Sequence, residues 1–214
     1  MRIRLIIFDL DGTLVDSSAD LTNALNHAIE PYGFEMLTVE RTKSLVGEGI
    51  TRLIEKLLGP GRAGMKQDVL DRFMEYYTRH LVDFTKPYPG VPETLLKLDK
   101  YKKAVISNKR ESLSRRLLEE LGLSHFFDVI LGSDSVEEKK PSPKPLEKVM
   151  SMLSCGSGET VIVGDSNYDI DAGRAAGVKT IAVSYGYRDI SLLRDADCIL
   201  DAFDDLTRVL ADLS

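Results

Sequence analysis

The 214-residue chain is poor in cysteine and histidine, has no long apolar run, and carries no surplus of basic charge. Its two cysteines, Cys155 and Cys198, stand far apart with no partner at metal spacing, which excludes a disulfide framework and a cysteine-ligated zinc site. A reducing, cytoplasmic setting is the expectation. The three histidines, His27, His80 and His125, form no ligand spacing and are expected on helix surfaces or loops, without chemistry. The N-terminal apolar run stops at Asp9, too short for a signal-peptide core and without a small-residue cleavage site. No later stretch approaches membrane-spanning length, so no membrane partner is expected. Acidic side chains outnumber basic ones 34 to 28, giving a formal net charge of −6, and no segment is dominated by Lys and Arg. Nucleic acid is therefore not expected as a partner.

What the chain does have is an ordinary globular composition, 43% hydrophobic and 29% charged. At this length it allows one large domain or two modest ones and buries about 70% of its unfolded surface, so the core needs no covalent or metal staple. Short apolar runs at 3–8, 103–106, 127–131, 160–163, 180–183 and 198–200 alternate with helical periods at 92–98, 112–121, 145–153, 168–176 and 190–196. That alternation predicts an α/β fold, a Rossmann-like parallel sheet flanked by helices. Gly122 and Gly177 follow two of the helical patterns, and Pro92 and Pro145 open two others, as helix ends prefer.

One region breaks the alternation. Between about Asp16 and Lys86 only helical patterns occur, such as Leu21-Leu25-Ala28-Ile29 and Val69-Leu70-Phe73-Met74-Tyr77. Some 70 residues of helix after the first strand predict an inserted all-helical domain. The expected division is 1–15 and 88–214 for the α/β core and 16–87 for the helical insert.

The polar groups gather where strands end, the edge at which loops and helix N-termini of a parallel sheet converge on ligands. The first strand runs into Asp9-Leu10-Asp11-Gly12-Thr13 and the second into Ser107-Asn108-Lys109. The third leads to Lys139-Lys140-Pro141-Ser142-Pro143, and the fourth to Gly164-Asp165-Ser166-Asn167-Tyr168-Asp169. Carboxylates crowded at one edge repel one another unless a cation joins them, and hard oxygen donors suit Mg2+ with a substrate phosphate. A hydroxyl, backbone amides and a lysine are the parts that hold a phosphoryl group. A carboxylate beside it is placed to attack in line, and a second one two residues on to move the proton.

In order and spacing these four motifs resemble those of the haloacid dehalogenase superfamily, over nearly the whole chain. Within it the sequence is most similar to the phosphoglycolate phosphatase group, whose helical cap is inserted where 16–87 stands here. The resemblance implies Asp9 as nucleophile and Mg2+ ligand, Asp11 as general acid and base that lends its backbone carbonyl to the metal, and Asp165 as third ligand. It implies Ser107 and Asn108 as contacts of the transferring phosphoryl group, Lys140 as the cation that neutralises it and orients Asp9, and Asp169 as support for the metal's water shell. Lys140 is chosen over Lys139 and Lys144 because it directly precedes Pro141-Ser142-Pro143. The implied activity is phosphatase action on a small phosphorylated metabolite, phosphoglycolate first, through an aspartyl phosphate. Asp11 argues for phosphate-ester chemistry over dehalogenation, where that aspartate is missing. It does not separate a phosphatase from a hexose-phosphate mutase, and a phospho-accepting signalling module without turnover is a third reading. The oligomeric state is not legible.

Blander roles exist for the same residues: Asp11-Gly12 suits a turn, and Asp165-Ser166 suits a helix N-cap with Asp169 in its first turn. Four such coincidences, each at a strand exit, are less economical than one site. The segment Leu45-Val46-Gly47-Glu48-Gly49-Ile50 reads either as a simple helix junction or, by resemblance, as a cap loop facing the substrate. Arg52 is then the nearest side chain able to pair with a substrate's carboxylate or second phosphate.

Overall fold

The computed structural model describes residues 2–213. Its main sheet has six parallel strands: β1 (Leu5–Phe8), β4 (Lys102–Ile106), β5 (Val129–Leu131), β6 (Thr160–Gly164), β7 (Lys179–Val183) and β8 (Cys198–Leu200). Their spatial order is β5-β4-β1-β6-β7-β8, so β1 lies inside the sheet, hydrogen-bonded to β4 on one side and β6 on the other. A parallel strand covered on both faces is apolar at every position. In β1 the two faces separate cleanly, Leu5 and Ile7 into one hydrophobic cluster, Ile6 and Phe8 into the other. The first cluster is completed by α7 (Lys144–Met152) and α8 (Asn167–Ala176) through Leu146, Val149 and Ala172. The second is completed by α5 (Val91–Lys97), α6 (Glu111–Glu120) and α9 (Leu206–Asp212) through Leu95, Leu117 and Leu210.

Between β1 and β4 the chain leaves the sheet. A two-stranded antiparallel ribbon, β2 (Val15–Asp16) with β3 (Lys86–Pro87), holds the outgoing and returning segments side by side. Beyond it lie α1 (Ser18–Ile29), α2 (Val39–Leu45), α3 (Ile50–Leu58) and α4 (Lys66–Arg79). Leu21, Leu25 and Ala28 of α1 pack with Val69, Phe73 and Tyr77 of α4 in the same cluster that holds Phe8, so one apolar body runs from the sheet into these helices. No helix among the described residues is long and apolar enough to cross a membrane.

Buried Asp20 fastens the ribbon's far end: its carboxylate accepts hydrogen bonds from Phe84 N (3.0 Å), Thr85 N (2.8 Å) and Thr85 Oγ1 (2.7 Å). Asp20→Ala strands these donors at a largely dry crossing and is expected to cost about 2–4 kcal/mol. The check is urea unfolding, with a lower midpoint at unchanged slope.

Two expectations are corrected. The 190–196 segment is not a helix; only a single 3-10 turn, Ile190–Leu192, forms there. Ile190 and Leu192 stay exposed and only Leu193 is buried, so no apolar stripe exists to hold a helix down. Strand β5 starts at Val129 rather than 127, because a 3-10 turn over Ser124–Phe126 feeds it and the Asp128 carboxylate accepts from Lys103 N at 2.8 Å. The sequence patterns also lack α9 and the ribbon.

Candidate active site

The ladder of β1 continues one residue past Phe8, with Asp9 N donating to Val163 O at 2.9 Å. The chain then turns: Leu14 N and Val15 N return to Leu10 O, and Gly12 takes φ +89°. A side chain at Gly12 would put its Cβ 2.3 Å from Asp165 Oδ2, so glycine serves both the turn and the close approach of two strand exits. Gly186, after β7, is constrained in the same way from the other side, 2.2 Å from the Asp165 Cβ.

This packing gathers Asp9, Asp165 and Asp169, each buried, with one oxygen apiece lying within 4.8 Å of one another. Lys140, 2% exposed, bridges two of them, donating to Asp9 Oδ1 at 2.7 Å and Asp169 Oδ1 at 2.5 Å. The other two lysines considered from the sequence go elsewhere: Lys139 donates to the Glu48 carbonyl, and Lys144 lies exposed near Glu147. Asp169 Oδ2 also accepts from Ser166 Oγ (2.6 Å) and Ser166 N (3.2 Å), so its capping role coexists with its place in the cluster. Asp165 Oδ2 accepts from Tyr187 N at 2.7 Å.

Three carboxylates share one ammonium, and the electrostatics show the imbalance. Asp9 is raised to about 7, chiefly by burial and further by Asp169 and Asp11, against the opposing pull of Lys140. Burial, then Asp9 and Asp169, hold Asp165 well above the usual carboxylate range. An all-oxygen donor set with surplus negative charge fits a small hard dication such as Mg2+. Asp9 and Asp165 are the carboxylates to hold it, since both Asp169 oxygens are engaged by Lys140 and Ser166.

The Asp11 carboxylate stands outside this cluster. Its Oδ1 accepts from Lys109 Nζ at 2.7 Å and from Ser17 Oγ. Ser107 Oγ accepts from Lys109 N at 3.2 Å, and Asn108 Nδ2 donates to Gly47 O (2.7 Å) and Lys140 O (3.0 Å). Asp9, Asp11, Ser107, Asn108, Lys140 and Asp165 all line one cavity.

The roof of that cavity is the 46–49 loop between α2 and α3, which lines it through Val46, Gly47 and Gly49. Arg188 holds it, donating to Lys43 O (3.0 Å), Ser44 O (3.3 Å) and Val46 O, and Tyr168 OH donates to Glu48. Arg52 is not part of the lining; it pairs with Glu55 at 2.7 Å on the outside of α3. Sequence reasoning passed over Tyr77, Lys109, Tyr168, Tyr187 and Arg188, all of which line the cavity. Lys109 and Tyr168 sat inside recognised motifs and were detectable. Tyr77, Tyr187 and Arg188 carry no local signal, because only the fold brings them to the site. His27 and His80 both stack on the Tyr76 ring (4.5 and 4.2 Å between centroids) and His125 lies tilted against Phe126, none of them lining the cavity.

Comparison with known proteins adds family membership to this geometry. The sequence model of the haloacid dehalogenase-like hydrolases matches residues 6–183. The chain belongs to this family. It is 39% identical over 206 residues to a phosphoglycolate phosphatase of Aquifex aeolicus (strain VF5), covering 92% of this chain and 95% of that one. A phosphoglycolate phosphatase of Chromobacterium violaceum is 42% identical over 212 residues, 96% and 95% of the two chains. The crystal structure of a predicted phosphoglycolate phosphatase from Haemophilus somnus 129PT superposes with a TM-score of 0.91 at 29% identity, covering 98% of each. The fold of this haloacid dehalogenase-like hydrolase is thus shared with that structure over 98% of the chain.

Proposed function

We propose that the protein is a cytoplasmic, Mg2+-dependent phosphatase of a small phosphorylated metabolite, phosphoglycolate first, that works through an aspartyl phosphate on Asp9. The observation that carries this reading is Lys140 bridging Asp9 and Asp169 beside Asp165 in a buried corner of the cavity. Residues 16–87 act as a cap over a core of 1–15 and 88–214, with the β2–β3 ribbon as the crossing between them.

Held by Asp9, Asp165 and the backbone carbonyl of Asp11, Mg2+ would supply positive charge against the phosphoryl oxygens and the two carboxylates. Asp9 attacks phosphorus in line as the bond to the leaving oxygen breaks, and Asp11 gives that oxygen a proton. Water, losing its proton to Asp11, then attacks the phosphorus of the acyl phosphate and frees Asp9. Lys140 offsets charge on the phosphoryl group and keeps the Asp9 carboxylate aimed. Both side-chain donors of Asn108 are spent on carbonyls, so the Ser107 hydroxyl and the Asn108 backbone N–H are the groups left to receive a phosphoryl oxygen. The roof at 46–49 excludes bulk water while it is docked.

The test is phosphate release from phosphoglycolate and from a panel of phosphorylated acids, sugars and nucleotides, ranked by kcat/KM. Free phosphate in stoichiometric amount with the alcohol is the expected result. An isomerised sugar phosphate without net phosphate marks a mutase, and a long-lived phosphoprotein without turnover marks a signalling module.

A further inference from the structure

One buried cation of the cavity has no part in the scheme above. Lys109 sits at the exit of β4, 7% exposed, and pairs through Nζ with Asp11 Oδ1 at 2.7 Å. The same Nζ donates to Tyr77 OH at 2.8 Å. Tyr77 belongs to α4 and is 1% exposed, so an element from the far side of the ribbon reaches the residue that holds Asp11. Ser17 Oγ donates to the same Oδ1. Both donors therefore land on one oxygen of the Asp11 carboxylate, and among the described residues no hydrogen bond engages Oδ2.

We propose that Lys109, held in place by Tyr77, is a positioning residue that pins Asp11 by Oδ1 and so leaves Oδ2 as the oxygen that exchanges the proton with the leaving group. The inference rests on the reading of Asp11 as acid and base. A cation and a hydroxyl on Oδ1 concentrate negative charge there, which makes Oδ2 the site of the proton in the acid form. In the first step the Oδ2–H bond breaks as a new O–H bond forms on the departing oxygen, and Asp11 is left as a carboxylate whose charge Lys109 neutralises. In the second step water returns a proton to Oδ2 while its oxygen bonds to phosphorus and the Asp9–phosphorus bond breaks. Lys109 keeps its own protons throughout. Tyr77 makes the arrangement depend on α4: with that helix displaced, Lys109 loses one of its two side-chain anchors and Asp11 loses its fixed orientation.

A lysine that merely bound phosphate would alter KM for every substrate, and a merely structural ion pair would lower all rates alike. A positioning residue for the acid changes the rates selectively. An alkyl phosphate cannot lose its alkoxide without a proton, whereas para-nitrophenyl phosphate expels a stable phenolate. The experiment measures single-turnover leaving-group release, enzyme in excess with Mg2+, for both esters in wild type, Tyr77→Phe and Lys109→Met. The alkyl-to-aryl rate ratio is expected to fall about 10-fold in Tyr77→Phe and about 100-fold in Lys109→Met, a share of the 10²–10⁴ that general acid catalysis supplies. KM for the aryl ester should move far less than the alkyl rate. Should Lys109→Met fail to fold, because it leaves Asp11 buried without its cation, Tyr77→Phe alone decides. Equal falls on both esters, an unmoved ratio, or a change confined to KM would overturn the proposal. A wild type that releases no leaving group from either ester overturns the phosphatase reading and this inference with it; an active wild type with an unmoved ratio in the variants overturns this inference alone.

Discussion

Asp9→Asn is expected to lower turnover by about 10⁴-fold or more with little loss of stability. The amide has nearly the shape of the carboxylate and still offers an oxygen to Lys140, so the corner of the cavity around Asp169 and Asp165 keeps its packing. What it lacks is the anionic oxygen that bonds to phosphorus. Stability should move opposite to activity. Asp9 is pushed up to about 7 by burial and by Asp169 and Asp11, so its ionisation costs the folded state. The unfolded chain, near the ordinary carboxylate value, binds fewer protons than the folded one between roughly pH 4 and 7, and the metal-free protein therefore loses stability as pH rises through that window. Removing the charge removes that loss. Thermal unfolding of metal-free wild type and Asp9→Asn at pH 8 should show the variant equal or higher, and a variant melting far below wild type would mean that the ionised Asp9 holds the site together.

Withdrawal of divalent metal is the second large effect. A chelator is expected to reduce phosphate release by about 10³-fold, with Mg2+ restoring it, because the charge that a bound dication places against a phosphoryl group is worth several kcal/mol. The same crowding gives the metal response a pH dependence of known sign. Asp165 is held well above its ordinary range and Asp9 near 7, so at lower pH the metal must displace protons from both. Mg2+ affinity should rise with pH through about 7, where Asp9 gives up its proton, and the stabilisation that Mg2+ confers should grow over the same interval. Calorimetric titration at pH 6 and pH 8 checks both, with proton release larger at the lower pH. An affinity independent of pH would show that Asp9 and Asp165 are not the ligands.

The parts of this molecule that were legible in the sequence are those set by local burial. Leu5-Ile6-Ile7-Phe8 is apolar at every position because both faces of β1 are covered, and that run declares a buried parallel strand without any partner in view. The helices between β2 and β3 declare themselves by period, as in Val69, Leu70, Phe73 and Tyr77 of α4. The strand exits were legible for a different reason: polar side chains that break an apolar run must face something, and Asp9, Ser107, Lys140 and Asp165 line the same cavity. Contacts made only by tertiary folding were not. Nothing near Tyr187 indicates that its backbone N–H meets Asp165, nor near Arg188 that it caps the carbonyls at the end of α2. Arg52 is near the roof in sequence, yet on α3 it pairs with Glu55. The 190–196 segment misled because its apolar residues, counted without their surroundings, imitate a buried stripe that the fold leaves exposed.

The measurement that bears most directly on the whole account is the covalent state of Asp9 during turnover. An Asp11→Asn protein lacks the base for the second step and should accumulate the acyl phosphate when supplied with para-nitrophenyl phosphate and Mg2+, an ester that needs no acid. Acid quenching, borohydride reduction and peptide mapping should then place a single modification at Asp9, absent without Mg2+. Phosphorylation at another residue, or continued turnover with Asp9 unmodified, would contradict the account.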